Sequence, residues 1–424
     1  MIRRFYVHNY RCLENFELSI SGLSSVLLIG RNGAGKSTVG HALELLQRIA
    51  RGTNRVGELI KPKDITRGRA DVPMRFEIEV ALEGAIYSYA VAFEFPNGFK
   101  ELRVYEERLT VDGSPIYTRE ISQVRLTKTG ADVDANFRMD WHLVALPIIQ
   151  RNNPADPLNQ FKQWLANALI LRPVPMYIRG ISDAETLQPN PQVTDFGAWF
   201  SGLLGSAPSA YSKIDTYLKQ VMPDFKDVKT AVIGNEARSL TVQFSNELGR
   251  ATIPFEDLSD GEKCFMIFAL VIAANDAYGP LLCFWDEPDN YLSSSEVGAS
   301  MMALRRAFES VGQLIVSSHN GEAIRRFSDE NTLVLYGPTL CEALIVFQSR
   351  LRKFEQVDKW SFCLKAAMIA ANRRDHEQTT APEPQPGFQG KGGACRRQGR
   401  PDDSSTGRAL RRPPQSGDGL ESSA

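Results

Sequence analysis

Apolar residues change their spacing along the chain, and each spacing dictates an element. Phe5, Val7, Phe16, Leu18 and Ile20 alternate with polar residues, the two-residue period of half-buried strands. Val26-Leu27-Leu28-Ile29 is instead continuous and stops at Gly30, the pattern of a buried parallel strand that feeds a glycine loop. Val39, Ala42, Leu43, Leu46 and Ile49 then recur at helical spacing, so the loop opens into a helix over 38–49. Alternation returns at Phe76, Ile78, Val80 and Leu82, and again from Tyr87 to Phe95. Turn signals follow at Pro96-Asn97-Gly98 and Asp112-Gly113-Ser114-Pro115. An antiparallel meander over 71–120 is expected.

Further along, Phe161 to Leu171 has helical spacing, and Arg172-Pro173-Val174-Pro175 ends it. Apolar positions from Phe196 to Val221 extend this into a small helical lobe, placed at 160–230, before strand resumes at Ser239–Phe244. Gly261 to Asn275 is apolar nearly all round, which predicts a helix buried on every side. Leu281–Trp285, Leu314–Ser318 and Thr332–Tyr336 read as short buried strands. Between the first two, Ser293 and Glu296 form a capping box at the start of a helix to about Ser310. The fold class is α/β: a mixed, largely parallel core sheet with an antiparallel meander and a small helical lobe, over 1–336. A helical extension is expected over 337–375. Residues 376–424 are rich in Pro, Gly, Ser, Gln and Arg and poor in large apolar side chains, so a disordered tail is expected; a displaced reading frame would leave the same mark.

Composition narrows this little. Lysine plus arginine (49) balances aspartate plus glutamate (50), so no global field draws in nucleic acid or anionic membrane. The six cysteines include no C-x-x-C pair, which argues against a zinc site or a disulfide framework. No apolar h-region follows Met1–Phe5 and no apolar run is long enough to span a bilayer, so a cytoplasmic protein without membrane contact is expected.

The chemistry concentrates in four stretches. Gly30-Arg31-Asn32-Gly33-Ala34-Gly35-Lys36-Ser37-Thr38 matches the phosphate-binding loop. Its glycines let backbone N–H groups face a phosphate, Lys36 reaches the β and γ oxygens of ATP, and the Ser37 hydroxyl binds Mg²⁺. Asp286 and Glu287 close an apolar strand, where ligands collect in parallel sheets. There Asp286 would hold Mg²⁺ and Glu287 would polarise the attacking water; otherwise they are two solvated acids before Pro288. His319 follows another buried strand and falls on the same rim, with the γ-phosphate or the attacking water as its partner. Leu258-Ser259-Asp260-Gly261-Glu262 opens the buried helix, where a serine and a glycine make a second anion site. Ser259 with Glu262 is equally an N-terminal capping box.

Taken together, a phosphate loop, an LSDGE signature, an apolar strand with DEP and a histidine after a strand resemble the ABC-type ATPase heads, within P-loop NTPases. The resemblance implies that Ser259, Asp260, Gly261 and Glu262 act in trans, on an ATP held by a partner's phosphate loop, so that ATP joins a homodimer. It also implies Glu287 as catalytic base and His319 as switch. The opening Ile2-Arg3-Arg4-Phe5 with Asn9-Tyr10-Arg11, and the wide separation of Lys36 from Ser259, are similar to the RecF, SMC and OLD branch. Arg11 would then approach the nucleotide. The closest likeness is to stand-alone AAA-type ATP-binding proteins related to OLD, many of which serve in phage defence. Three departures stand out: no coiled coil is written, no Toprim domain fits after 336, and Ser293 stands where relatives have Asp or His. Gln150 is the candidate for the glutamine loop. The implied function is an ATP-hydrolysing switch in DNA maintenance or phage defence, acting on DNA or on an effector. The alternative is an ATP-sensing module that holds a separately encoded nuclease or toxin.

Overall fold

The computed structural model describes residues 1–127, 135–234, 237–247, 249–327 and 330–336, together with the backbone of 344–347. Strands β1 (Ile2–His8) and β2 (Phe16–Ser19) pair antiparallel, with Phe5, Val7, Phe16 and Leu18 buried as their alternation requires. β3 (Ser25–Gly30) leaves them and leads into α1 (Lys36–Ala50) and the short α2 (Val56–Leu59). The chain then returns as β4 (Met74–Leu82), β5 (Ala85–Glu94), β6 (Arg103–Val111), β7 (Ser114–Glu120), β8 (Gln123–Leu126) and β9 (Ala135–Arg138). β4 docks antiparallel on β1, so the strand order of this first sheet is β2-β1-β4-β5-β6-β7-β8-β9.

α3 (Pro157–Ala166) is capped by Asp156, which accepts from the Leu158 N–H at 2.9 Å, and stops before its expected end. The chain passes at once into β10 (Leu169–Leu171), so the stretch read as one helix to Leu171 is a helix plus a strand. Three consecutive apolar residues suit a strand buried on both faces as well as they suit a helix, and tertiary pairing decides between them. α4 (Phe196–Ser206) and α5 (Ala210–Val221) follow, then a three-stranded antiparallel sheet of β11 (Phe225–Ile233), β12 (Ala237–Asn246) and β13 (Gly249–Pro254). The segment 160–230 is therefore not purely helical: it also supplies β10 and most of β11. Next come α6 (Asp260–Tyr278), β14 (Leu282–Asp286), α7 (Ser294–Ala307), β15 (Gln313–Ser317), α8 (Gly321–Arg326) and β16 (Thr332–Tyr336). β17 (Leu344–Phe347) pairs antiparallel with β16, so the helix expected over 337–375 gives way there to a strand. Leu-Ile-Val-Phe is an apolar, partly β-branched run that suits a sheet. The rest of that stretch, and the tail 376–424, lie outside the described residues.

The second sheet runs β10-β14-β15-β3-β16-β17 and is parallel up to its last strand. Its strands alternate between two cores. Val26, Leu28, Leu282, Phe284 and Ile315 pack with α1, α3 and the first sheet. Leu27, Cys283, Trp285, Leu314 and Val316 pack on the other face with α4, α5, α6 and α7. This two-sided burial explains the continuous apolar runs. It also places α1 and α6 on opposite faces of one sheet. α6 is covered by α4, α5, α7 and the sheet, as its apolar circumference requires.

The first sheet carries a fully buried charge pair. Glu107 accepts from the hydroxyls of Tyr89 (3.1 Å) and Tyr117 (2.8 Å) and from the N–H groups of Ala145 (2.7 Å) and Leu146 (2.9 Å). Arg119 stands 3.7 Å from it and donates to the carbonyls of Ile121 (2.8 Å), Asp140 (2.9 Å) and Leu143. Burial first, then the Glu107 charge, raises the pKa of both tyrosines, which keeps them as donors. The knot fastens the loop over 139–146 to the meander. Glu107→Gln removes one charge and leaves the Arg119 guanidinium buried without it, so a loss of about 3–5 kcal/mol is expected. Urea unfolding at neutral pH measures it; a loss below about 1 kcal/mol would show that the surrounding carbonyls alone satisfy Arg119.

Candidate active site

β3 delivers the glycine loop to the sheet's C-terminal rim. A Cβ at Gly30 would stand 2.4 Å from the Leu335 carbonyl oxygen of β16, so no side chain fits there. Gly35 caps α1 with φ +102°, a conformation other residues rarely adopt. Between them the Ala34 N–H closes on the Arg31 carbonyl at 3.0 Å. Lys36 is only 6% exposed, and its Nζ donates to the carbonyls of Gly30 (3.0 Å) and Arg31 (3.5 Å), folded over its own loop. Burial lowers its pKa, and the charges of Glu287 and Asp286 oppose that shift, which brings both acids into the same field as the loop. Arg31, Asn32, Gly33 and Ser37 are exposed, while Thr38 is half-buried and accepts from Cys12 Sγ at 3.4 Å.

Parallel register sets the other groups level with this loop. Asp286 of β14 pairs with Ser317 of β15, and Ser317 with Leu28 of β3, two residues before Gly30. The Ser317 hydroxyl donates to the Asp286 carboxylate. Glu287 adopts a left-handed backbone, φ +48°, and its N–H donates to both the carbonyl and the hydroxyl oxygens of Ser317, each at 3.1 Å. The Glu287 carboxylate meets His319 Nε2 at 3.1 Å through Oε1 and accepts from Asn290 Nδ2 at 2.9 Å through Oε2. His319 remains exposed. Asp289 is buried, with Oδ1 lacking a hydrogen-bond partner; burial raises its pKa and a bond with Ser318 opposes the rise.

The signature stretch lies across the sheet. Ser259 caps α6, and its N–H and hydroxyl both donate to Glu262 Oε2, at 2.8 and 2.7 Å, while the Glu262 N–H returns to Ser259 Oγ at 3.3 Å. The capping box is therefore formed, and Ser259 and Asp260 are nevertheless exposed. A Cβ at Gly261 would stand 3.2 Å from the Tyr291 carbonyl, in the loop that follows Asp286-Glu287-Pro288. That places the start of α6 at the rim where β14 ends. Arg11 sits beside the loop through its neighbour: a Cβ at Gly35 would stand 3.1 Å from Cys12 Sγ. Its guanidinium is held by Asp64 at 3.0 Å. Ser293 caps α7 as expected, and Gln150 is exposed in the loop before α3.

For a cation, Asp286 and Ser37 offer the hard oxygen donors that Mg²⁺ takes, with Asp286 already oriented by Ser317. No cluster of three His, Cys, Asp or Glu occurs among the described residues, so phosphate and water oxygens would complete the shell, as is usual for Mg²⁺. Two contributors escaped the sequence reading, Ser317 and Asn290; elsewhere, Arg172, the residue after β10, pairs with Glu44 of α1 at 2.6 Å. Burial would raise Glu44, but a hydrogen bond from His41 and the Arg172 charge outweigh it and hold the carboxyl at about 2. Only a polar residue at the end of an apolar strand, Ser317, left any local signal.

Residues 25–325 match the family described as "AAA domain, putative AbiEii toxin, Type IV TA system". The chain belongs to this family. It is a P-loop ATPase, with the glycine loop, the two strand-end acids and the exposed histidine inside the matched span. Its fold is similar to that of the Smc head bound to the C-winged helix domain of ScpA, at a TM-score of 0.50 and 13% identity over 83% of this chain and 99% of that one. Also similar are the Smc head from Pyrococcus furiosus with an extended coiled coil, bound to the C-terminal domain of ScpA (TM-score 0.46, 11% identity, 84% and 98% covered), and the SMC head from Thermotoga maritima (0.40, 14%, 81% and 97%). No curated protein matches the chain. No described helix is long and apolar enough to cross a membrane.

For an AAA-family ATPase of this geometry, Lys36→Ala removes the loop's buried cation. A fluorescent ATP analogue should bind at least about tenfold more weakly, the loss of a charged hydrogen bond to phosphate. Unchanged affinity in a folded variant would refute the assignment of the loop.

Proposed function

We propose that this chain is an ATP-driven dimerising head in which each nucleotide is held by one subunit and completed by the other. The observation that carries this is the position of Ser259: exposed, at the rim, but on the face of the sheet opposite α1. Its helix end offers N–H groups and the positive end of the helix dipole to an anion. Lys36 and the loop would bind the β and γ oxygens on their own side, and a second copy would bring its Ser259–Glu262 turn over the γ-phosphate. Bound Mg²⁺ would neutralise phosphate charge, held by Asp286 and Ser37. Glu287 would take the proton of the attacking water, and His319, 3.1 Å from it, would hold the carboxylate and the γ-phosphate in register. Arg11 would lie near the nucleotide from the β1–β2 turn.

Closing and opening of this dimer would act as the switch. Membership of a family described by a toxin of a toxin–antitoxin system supports a role in defence. The similar Smc head, bound to a domain of ScpA, is the support for a protein partner.

The deciding experiment is size-exclusion chromatography of Glu287→Gln with and without Mg·ATP. The variant should bind ATP as the parent does, elute as a dimer only with ATP, and turn over at least about 10²-fold more slowly, the usual worth of a positioned base. A monomer in saturating ATP would overturn the dimer, and turnover at the parent's rate would overturn the role of Glu287. Ser259→Arg should leave nucleotide affinity intact and abolish the dimer.

A further inference from the structure

Through its side chain, Ser317 touches both acids of the rim. It ends β15, between β14 and β3, and is fully buried. Its hydroxyl has a single proton, and that proton goes to the Asp286 carboxylate. The same oxygen, together with the Ser317 carbonyl, accepts the Glu287 N–H. A left-handed backbone at a non-glycine residue is unfavourable by about 1–2 kcal/mol, and this paired acceptance from one residue compensates it where the chain turns out of β14. The neighbouring Ser318, equally buried, does something different: it accepts from the Asn320 N–H at 2.9 Å and bonds Asp289.

We propose that Ser317 is a positioning residue for ATP hydrolysis, aiming Asp286 at the cation and turning Glu287 toward His319. Fully buried, its hydroxyl acts through the two acids alone. The inference rests on the reading of Asp286 as cation ligand and Glu287 as base. If the hydroxyl is absent, Asp286 can rotate, and the Glu287 N–H keeps only a carbonyl. Groups that orient metal ligands are typically worth about 10–100-fold in metal affinity or activity.

The test compares Ser317→Ala, Ser318→Ala and Asp286→Asn in the full chain, with ATP affinity measured in EDTA and again across a Mg²⁺ titration, beside steady-state turnover. Ser317→Ala should bind ATP normally in EDTA. It should need about tenfold or more Mg²⁺ for the Mg-dependent gain in affinity, and lose about tenfold or more in kcat, while Ser318→Ala stays within about threefold on each measure. Should Ser317→Ala not fold, Ser317→Cys, which keeps a donor at that position but a weaker one, carries the same expectation. Three results would overturn the proposal: a Mg²⁺ midpoint and kcat within threefold of the parent, a loss of ATP affinity already present in EDTA, or an equal loss in Ser318→Ala. Asp286→Asn separates this from the underlying reading. If it too leaves the Mg²⁺ dependence unchanged, the assignment of Asp286 fails; if it alone shifts, only the role of Ser317 does.

Discussion

The parallel ladder β14-β15-β3 is the constraint on which this molecule depends. Hydrogen bonding fixes Asp286 opposite Ser317 and Ser317 opposite Leu28, so three loops leave one edge at one height. The glycine loop, the two acids and His319 owe their proximity to that register and not to any contact in sequence. Such a ladder needs apolar residues on both faces, and it has them: Phe284 looks toward α1, Trp285 toward α6. A slip of one residue in β14 would exchange those two cores, and the register is therefore strongly specified.

The same two-sided burial separates the N-termini of α1 and α6. α1 and α6 are tied to opposite faces, and the thickness of a packed sheet stands between their axes. The short connection from α6 into β14 makes the helix antiparallel to the strand, which returns Ser259 to the rim shared with the loop. Gly261 confirms the end reached, since its backbone lies against Tyr291 just beyond the acids. A chain built this way leaves Ser259 and Asp260 exposed at the rim, on the face of the sheet opposite α1.

What the sequence discloses and what it withholds divides along sequence distance. The glycine loop, Asp286-Glu287, His319 and both serine caps are local patterns, and each could be read from a few adjacent residues. The helical lobe was less legible, because Leu169-Ile170-Leu171 carries no period long enough to tell strand from helix, and only the vacant edge of β14 makes it a strand. Glu107 and Arg119 gave no warning either: two charges on alternating strands look solvated until the 139–146 loop covers them. Ser317 is the intermediate case. A serine in Leu-Ile-Val-Ser-Ser-His reads as the polar end of a strand, and its meaning comes only from Asp286, thirty-one positions earlier in the chain.

Glu287 shows how the fold pays for geometry at its reacting edge. Its left-handed backbone is unfavourable for a branched-free acid by an amount comparable to one good hydrogen bond, and Ser317 supplies two acceptors to the one N–H that the turn exposes. The carboxylate is then occupied on both oxygens, by His319 and by Asn290. A water that bonds this carboxylate has to displace one of those two contacts. Asn290 is exposed and belongs to the loop whose next residue, Tyr291, lies against the start of α6. The N-terminus of α6 and the Glu287 carboxylate are thus three links apart: Gly261 beside the Tyr291 carbonyl, Tyr291 next in the chain to Asn290, and Asn290 donating to the carboxylate.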